Sequence, residues 1–258
     1  MKLRTERQAA FLRLSRARKR EWPDDTRKWV DSHLHDTDWE IRNVAVKLAG
    51  MGRMTEYTDE LVQFLENRSQ PGFIRRNSAA ALREIGACEP GVFLAGLDDP
   101  YWEVRTESAF GLQCCGSPDP HLARTLIAKL YRKPPDRLSG YPLLRPSRIY
   151  REKNFEVRSA LLHALGTAAT SEADLRAIEI PMQDDIWKVR VAALEAFVSA
   201  AGRLGLDQER MASVMSSIDL TCTEFIPTFP IRETYNTLAK ISMTPSKSEP
   251  IRNQDNAL

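Results

Sequence analysis

No apolar run in these 258 residues approaches the roughly 20 residues that a membrane-spanning helix needs. The basic N-terminus has no apolar block behind it, so it does not read as a secretory signal. Cysteine is scarce: Cys88, Cys114, Cys115 and Cys222 are all there are, and none forms a C-x-x-C pair. That spacing excludes a thiol-built zinc site and predicts buried, reduced thiols in a cytoplasmic protein. Histidine is equally scarce. His33 and His35 are two apart at an expected helix end and point away from each other, His121 opens a helix, and His163 sits within one. There is no G-x-S-x-G and no glycine-rich loop of the kind that cradles phosphate. No segment alternates with period two, so no sheet is predicted. Nothing here calls for a metal or a cofactor, and no catalytic set of residues stands out.

What is present is charge, unevenly placed. The net charge is only +2, yet residues 1–20 carry +7 and residues 132–153 carry +5, which leaves −10 on the rest. Two basic interaction surfaces on an acidic body follow from that asymmetry.

One short phrase also recurs: an aromatic, two further residues, then Arg, with Ile or Val just before the Arg. It reads Trp39-Glu40-Ile41-Arg42, Trp102-Glu103-Val104-Arg105, Phe155-Glu156-Val157-Arg158 and Trp187-Lys188-Val189-Arg190. In Gly72-Phe73-Ile74-Arg75 the aromatic is moved by one place, and Phe229-Pro230-Ile231-Arg232 is a weaker sixth copy. The Arg-to-Arg spacings are 33, 30, 53, 32 and 42. Three match one period, and the 53 matches one period plus an insertion. Small residues follow each Arg (Ala45, Ala79, Ala109, Ala160, Ala192), and Leu82, Leu112, Leu165 and Phe197 lie seven places on in four copies. Apolar residues at such steps make a helix with one buried stripe. Gly52, Gly86, Gly116, Gly166 and Gly202 are expected to end these helices. Asp36, Asp98-Asp99 and Asp184-Asp185 precede them and suit their positive ends. A second helix is expected after the first in most units, marked by Leu61, Phe64 and Leu65, by Leu122 to Leu130, and by Met211, Val214, Met215 and Ile218.

The pattern D-x-x-W-x-V-R-x-x-A-x-x-A-L-G resembles the HEAT repeat, in the variant shared with phycobilin lyases, over about residues 36–241. The resemblance implies an all-α solenoid, a superhelix of about five to six helical hairpins. It also implies that the repeated residues tie neighbouring units together: Arg42, Arg75, Arg105, Arg158 and Arg190 by hydrogen bonds, and Trp39, Trp102, Phe155 and Trp187 as anchors of the turns. HEAT-like di-iron hydroxylases carry His-Glu pairs, and this sequence has no such dipeptide.

The expected layout has capping helices over 1–35, three repeats over 36–131, an insertion over 132–152, further repeats over 153–241 and a disordered tail over 242–258. The first helix, about 3–20, is expected to be amphipathic with Leu3, Phe11 and Leu14 on or near one face, and Asp24 or Asp25 to cap the second. The insertion combines Arg132, Lys133, Arg145, Arg148 and Arg151 with Tyr141 and Tyr150. Long irregular loops tend to be functional, and Arg with Tyr suits an acidic protein surface as well as phosphates and bases. Arg13, Arg16, Lys19 and Arg20 form the possible second basic surface.

The expectation is a cytoplasmic, non-catalytic scaffold or adaptor. It binds a protein partner through a concave face, built from the second helices, and through the insertion. The alternative is a nucleic-acid-binding protein, with a DNA glycosylase as its named form, since HEAT-like alkylpurine glycosylases use a basic groove. A bilin-lyase-type subunit is the third reading, since phycobilin lyases of the paired type share the repeat.

Overall fold

The computed structural model describes residues 2–132 and 149–216, with Asn236 alone beyond them. Every long element among these residues is helical. In chain order they are α1 (Lys2–Arg18), α2 (Thr26–His33), α3 (Trp39–Met51), α4 (Thr58–Glu66), α5 (Gly72–Ile85) and α6 (Pro90–Leu94). Then come α7 (Trp102–Cys115), α8 (Pro120–Leu130), α9 (Phe155–Ala168), α10 (Glu172–Glu179), α11 (Trp187–Leu204) and α12 (Gln208–Ser216). The sixth copy of the phrase and the tail lie outside the described residues, as does Cys222.

The phrase opens each of the long helices α3, α7, α9 and α11, and α5 begins at its shifted copy. These five stack side by side in chain order, with α1 laid against α3. Each short helix packs chiefly on the long helix that follows it: α2 on α3, α4 on α5, α6 on α7, α8 on α9, α10 on α11. The register expected from sequence is therefore shifted by one helix. The phrase-bearing helix is the second of its hairpin, and the acidic turn before it is the turn within the hairpin.

The phrase residues have separable jobs. The Ile or Val before each Arg is buried, with Ile41, Ile74, Val104, Val157 and Val189 all at 2% exposure or less. Each such side chain contributes about 1.5–3 kcal/mol relative to exposure. The acid six places before the Arg holds the turn. Asp36, Asp99, Glu152 and Asp184 each accept the backbone N–H two residues on, at 2.8–2.9 Å. The Arg of the same unit donates back to the turn: Arg105 to the Asp99 carbonyl at 2.8 Å, Arg190 to that of Asp184 at 2.7 Å, and Arg42 to that of Asp36.

The same acids join neighbouring units. Arg75 donates to Asp99 at 2.7 and 2.9 Å, Arg105 to Glu152 at 2.8 and 3.0 Å, and Arg158 pairs with Asp184 at 3.4 Å. Paired bonds of this kind between guanidinium and carboxylate are strong and directional. The ladder skips one rung. Six places before Arg75 stands Ser69, so Arg42 meets no acid there, and its buried Nε has no hydrogen-bond partner among the described residues.

The glycines divide into two groups. Gly86, Gly116 and Gly205 follow α5, α7 and α11 at positive φ, where a side chain would be strained. Gly166 and Gly202 do not end helices as expected; both lie inside them. Gly166 of α9, like Gly50 of α3, lets the next long helix come close. A Cβ on either would stand 2.6 Å from an Ala Cα, of Ala196 and Ala81 respectively.

The first helix also differs from expectation. Ala10, Leu14 and Ala17 are its buried residues, while Leu3 and Phe11 are 49% and 50% exposed. Asp25 makes no side-chain cap on α2 and instead takes Arg13 at 2.6 and 2.7 Å.

Candidate functional site

The insertion leaves the repeat array through a short backbone clasp. Tyr131 and Tyr150 form an isolated antiparallel bridge. The Arg132 N–H donates to the Ile149 carbonyl at 3.0 Å, and the Arg151 N–H to that of Leu130 at 2.9 Å. The two tyrosine rings stack with centroids 5.6 Å apart. The Tyr131 hydroxyl donates to the Ala177 carbonyl of α10 at 2.5 Å, which pins the clasp to the next repeat. The Arg158 guanidinium lies 4.6 Å from the Tyr150 ring centroid, in cation–π range.

Beside the clasp is a cavity of about 450 Å³, lined by Arg132, Tyr150, Lys153, Arg158, Asp184 and Asp185 among others. Two repeats and the base of the insertion build it together. Tyr150 is 2% exposed. Burial, and then the neighbouring Tyr131 and Asp184, hold its phenol well above the usual tyrosine range, so it stays protonated at neutral pH. Asp184 is 3% exposed; its Oδ2 lies 3.4 Å from the Arg158 guanidinium, and the Tyr150 hydroxyl also donates to its carboxylate. The Arg158 Nε has no acceptor among the described residues. Along the open side of the cavity Arg132, Lys153 and Asp185 are exposed, so a polar group entering it meets charges of both signs.

Arg132 lines the cavity and donates from Nε to the Tyr150 carbonyl at 3.2 Å. Arg151 lines a second cavity, of about 190 Å³, against Arg105 and Glu152. Lys133, Tyr141, Arg145 and Arg148 lie outside the described residues. Arg13 of α1 is tied to Asp25 and stacks over Trp29 at 5.5 Å, while Arg16 of α1 and Lys19 and Arg20 just after it are exposed.

The repeated aromatics mark the edge where the long helices begin. Trp39 is 45% exposed and its ring meets that of Phe73 at 4.7 Å. Tyr101 and Trp102 are each 38% exposed, and Tyr101 lies over Gly72, whose added Cβ would meet its ring at 2.8 Å. Phe155 and Trp187 are half-buried; Lys188 sits 5.3 Å from the Phe155 ring, and the Trp187 indole N–H has no partner among the described residues. The sequence shows these rings as part of a repeat. It does not show that two of them, Trp39 and Trp102, face solvent beside Tyr101.

The thiols also depart from expectation. Cys88 and Cys114 are exposed and Cys115 is half-buried. Cys88 approaches the Cys114 carbonyl at 4.0 Å. Burial, together with the neighbouring Cys88 and Cys114, pushes the Cys115 thiol up to about 11. Thiolate is the reactive form, so alkylation by iodoacetamide near pH 8 is expected to consume Cys88 and Cys114 first and Cys115 last. Peptide mass spectrometry over time reads this order; equal rates at Cys115 and Cys88 would contradict it.

Among the described residues no helix is long and apolar enough to cross a membrane, and no group of three His, Cys, Asp or Glu is placed to hold a metal ion. No protein-family model and no curated protein matches the sequence. The fold is similar to that of the complex of CpcE and CpcF of phycocyanin lyase from Nostoc sp. PCC7120, with a TM-score of 0.50 and 18% identity. The match covers 81% of this chain and 93% of that one. An identity this low carries the fold alone, and the fold is an all-α solenoid of HEAT-like repeats.

Proposed function

We propose that this chain is a HEAT-repeat binding subunit that holds a protein partner without catalysing a reaction on it. The partner lies along the long helices and the edge where they begin, and the insertion reaches the same partner. One observation carries the reading. Trp39 stands exposed at the start of α3, and Tyr101 and Trp102 stand exposed together at the start of α7, two long helices further on, along the edge that leads to the 450 Å³ cavity at the insertion base. Exposed Trp and Tyr beside a pocket containing Arg are the usual energetic anchors of protein interfaces. The cavity takes a polar side chain of the partner, which meets the exposed Arg132, Lys153 and Asp185. The similarly folded chain was solved in a complex with a second protein, which supports a protein partner.

The test begins with affinity capture from a native extract, identification of the bound protein, and reconstitution from purified components. Trp102→Ala with Arg132→Ala is expected to weaken the reconstituted complex at least tenfold, on the order of 2 kcal/mol for an aromatic anchor. Arg145→Ala with Arg148→Ala is expected to weaken it too while leaving the melting temperature in place. Unchanged affinity in both double variants would remove this reading.

A second reading rests on the fold likeness: a subunit of a two-chain assembly of the phycocyanin-lyase type. Titration with a free bilin, followed by its visible absorption band, separates the two. A saturable spectral change favours the second reading, and an unmoved band counts against it.

A further inference from the structure

Helices α1, α3 and α5 enclose a cleft. Its inner part is a cavity of about 230 Å³ whose cations are Arg18, Lys47, Arg76 and Arg83. An outer part of about 560 Å³ shares Arg18 and adds Arg20 and Arg53, with Trp22 at its mouth. Leu14 and Ala17 of α1, Met51 of α3 and Ala81 of α5 provide apolar walls. Six cations thus face two carboxylates, Glu84 and Glu107, in a protein whose total charge is only +2.

The carboxylates do not neutralise the cleft. Glu107 is taken by Arg76 at 3.0 Å and Arg83 at 3.2 Å. Lys47 is half-buried, and among the described residues no hydrogen bond or ion pair reaches its ammonium. Burial lowers its pKa, and the charges of Arg18 and Arg76 lower it further. An ammonium drawn out of water beside two guanidinia is unfavourable unless an anion arrives. The backbone adds a second sign. Among the described residues Arg20 and Arg53 are the non-glycine residues at positive φ, +65° and +49°, and both line this cleft. Glycine is the usual solution where a helix ends in that conformation. The chain places arginine at both ends and so holds charge over the cleft at a cost in backbone strain.

We propose that this cleft is a docking site for an acidic amphipathic segment of a protein partner, its carboxylates over Arg18, Lys47 and Arg76 and its apolar side chains against the half-buried Met51 and the exposed Trp22. Charge complementarity selects an anion, and the apolar surface of Met51 and Trp22 selects a polypeptide over a phosphate polymer. A nucleic-acid backbone would engage the cationic rim and leave the Met51 surface unused, whereas a helix with one acidic and one apolar face uses both. The proposal takes its partner class from the reading of the chain as a protein-binding subunit, but it concerns a different surface.

The probe is a labelled synthetic helix with Leu at i, i+3, i+4 and i+7 and Glu at the intervening positions. Two further probes are its Lys-for-Glu counterpart and a single-stranded DNA of equal charge. Fluorescence anisotropy is read with the full chain at low and at high salt. The Glu/Leu peptide is expected to bind, and to weaken on adding salt because exposed charges are screened. Lys47→Glu is expected to weaken it at least tenfold, Met51→Asp similarly, and Lys47→Met by less, with melting curves showing that each variant is folded. The Lys/Leu peptide is expected not to bind. Failure of the Glu/Leu peptide to bind at low salt overturns the proposal, as does affinity indifferent to Lys47→Glu. DNA binding that is tighter than the peptide's and is lost in Lys47→Glu makes the cleft a phosphate site and overturns it too. Trp102→Ala with Arg132→Ala should leave peptide affinity unchanged. The edge reading can therefore fail while the cleft stands, and the cleft can fail while the edge stands.

Discussion

Asp99→Ala is expected to lower the stability of the fold by about 3–5 kcal/mol, the cost of breaking a buried ion pair by removing one partner. Asp99 is 2% exposed and Arg75 is 5% exposed. The carboxylate accepts two bonds from Arg75, at 2.7 and 2.9 Å, one from Arg68, and one from the Tyr101 N–H at 2.8 Å. Alanine removes both acceptor oxygens and with them all four bonds, and leaves a buried guanidinium facing no carboxylate. The adjacent residue is an internal control. Asp98 has a side chain 67% exposed and, among the described residues, pairs with Lys129, so Asp98→Ala is expected to cost less than about 1 kcal/mol. Urea or thermal unfolding of the two variants reads the contrast. Equal effects would mean that the ladder does not bear on stability.

The same carboxylate gives the stability a pH dependence. Burial alone would raise the pKa of Asp99, but the Arg75 hydrogen bonds, the Tyr101 N–H and the charges of Arg75 and Arg68 outweigh it and hold the group below its ordinary value. A folded-state pKa below the unfolded one means that stabilisation is fully present above the unfolded value, near pH 4. It is lost as pH falls through the folded value. The stability gap between the native chain and Asp99→Asn should therefore be constant from about pH 5 to 7 and narrow in stronger acid. A gap that widened on acidification would invert the assignment.

Much of the fold is legible in the sequence because each hairpin repeats the same three demands. A buried Ile or Val, an Arg and a small residue recur on one helix face, and that is enough to read stacked helices. The register is harder to read. A short helix and a long one alternate along the chain, and the pattern alone does not say whether the short one packs forward or back. Two short helices escape it as well. α6 has only five residues before it tightens into a 3-10 turn, and α10 has only eight, with Leu175, Ala177 and Ile178 as its buried apolar residues. Its signal was a capping box, Ser171 with Asp174, four residues that point to a helix start. Glu152 takes the place of the repeated Asp, but the insertion just before it hides the equivalence.

The candidate surfaces are less legible for a physical reason. Tyr150 and Asp184 meet only because two repeats stack in one register. The excess of base in residues 1–20 is plain in the sequence, yet only the azimuth of α1 decides which members face Lys47 and Arg76. Arg13 turns to Asp25 and Arg18 turns to the cleft, five residues apart on the same helix.

Gly166 and Gly202 look alike in the sequence and should respond to substitution with opposite sign. Both lie inside long helices, Gly166 in α9 and Gly202 in α11. In a helix interior glycine is less favourable than alanine by roughly 1 kcal/mol, so propensity alone predicts that Ala stabilises both. At Gly202 nothing lies within 4 Å of an added Cβ, and Gly202→Ala is expected to stabilise by up to about 1 kcal/mol. At Gly166 the Cβ would stand 2.6 Å from Ala196 Cα, 2.8 Å from its Cβ and 2.9 Å from its carbonyl oxygen. Two of those atoms are backbone and cannot swing aside, so α11 must move away from α9 as a body. That movement pulls at the Arg158–Asp184 rung and at the floor of the insertion cavity, which the same two helices position. Gly166→Ala is expected to destabilise despite its better propensity, by about 1–3 kcal/mol for overpacking. Gly166→Leu should cost more than that, and with it the polar site beside Tyr150. Thermal melts of the three variants decide the matter. A stabilising Gly166→Ala would mean that the two helices can separate freely, and the close approach would then have no part in placing Asp184.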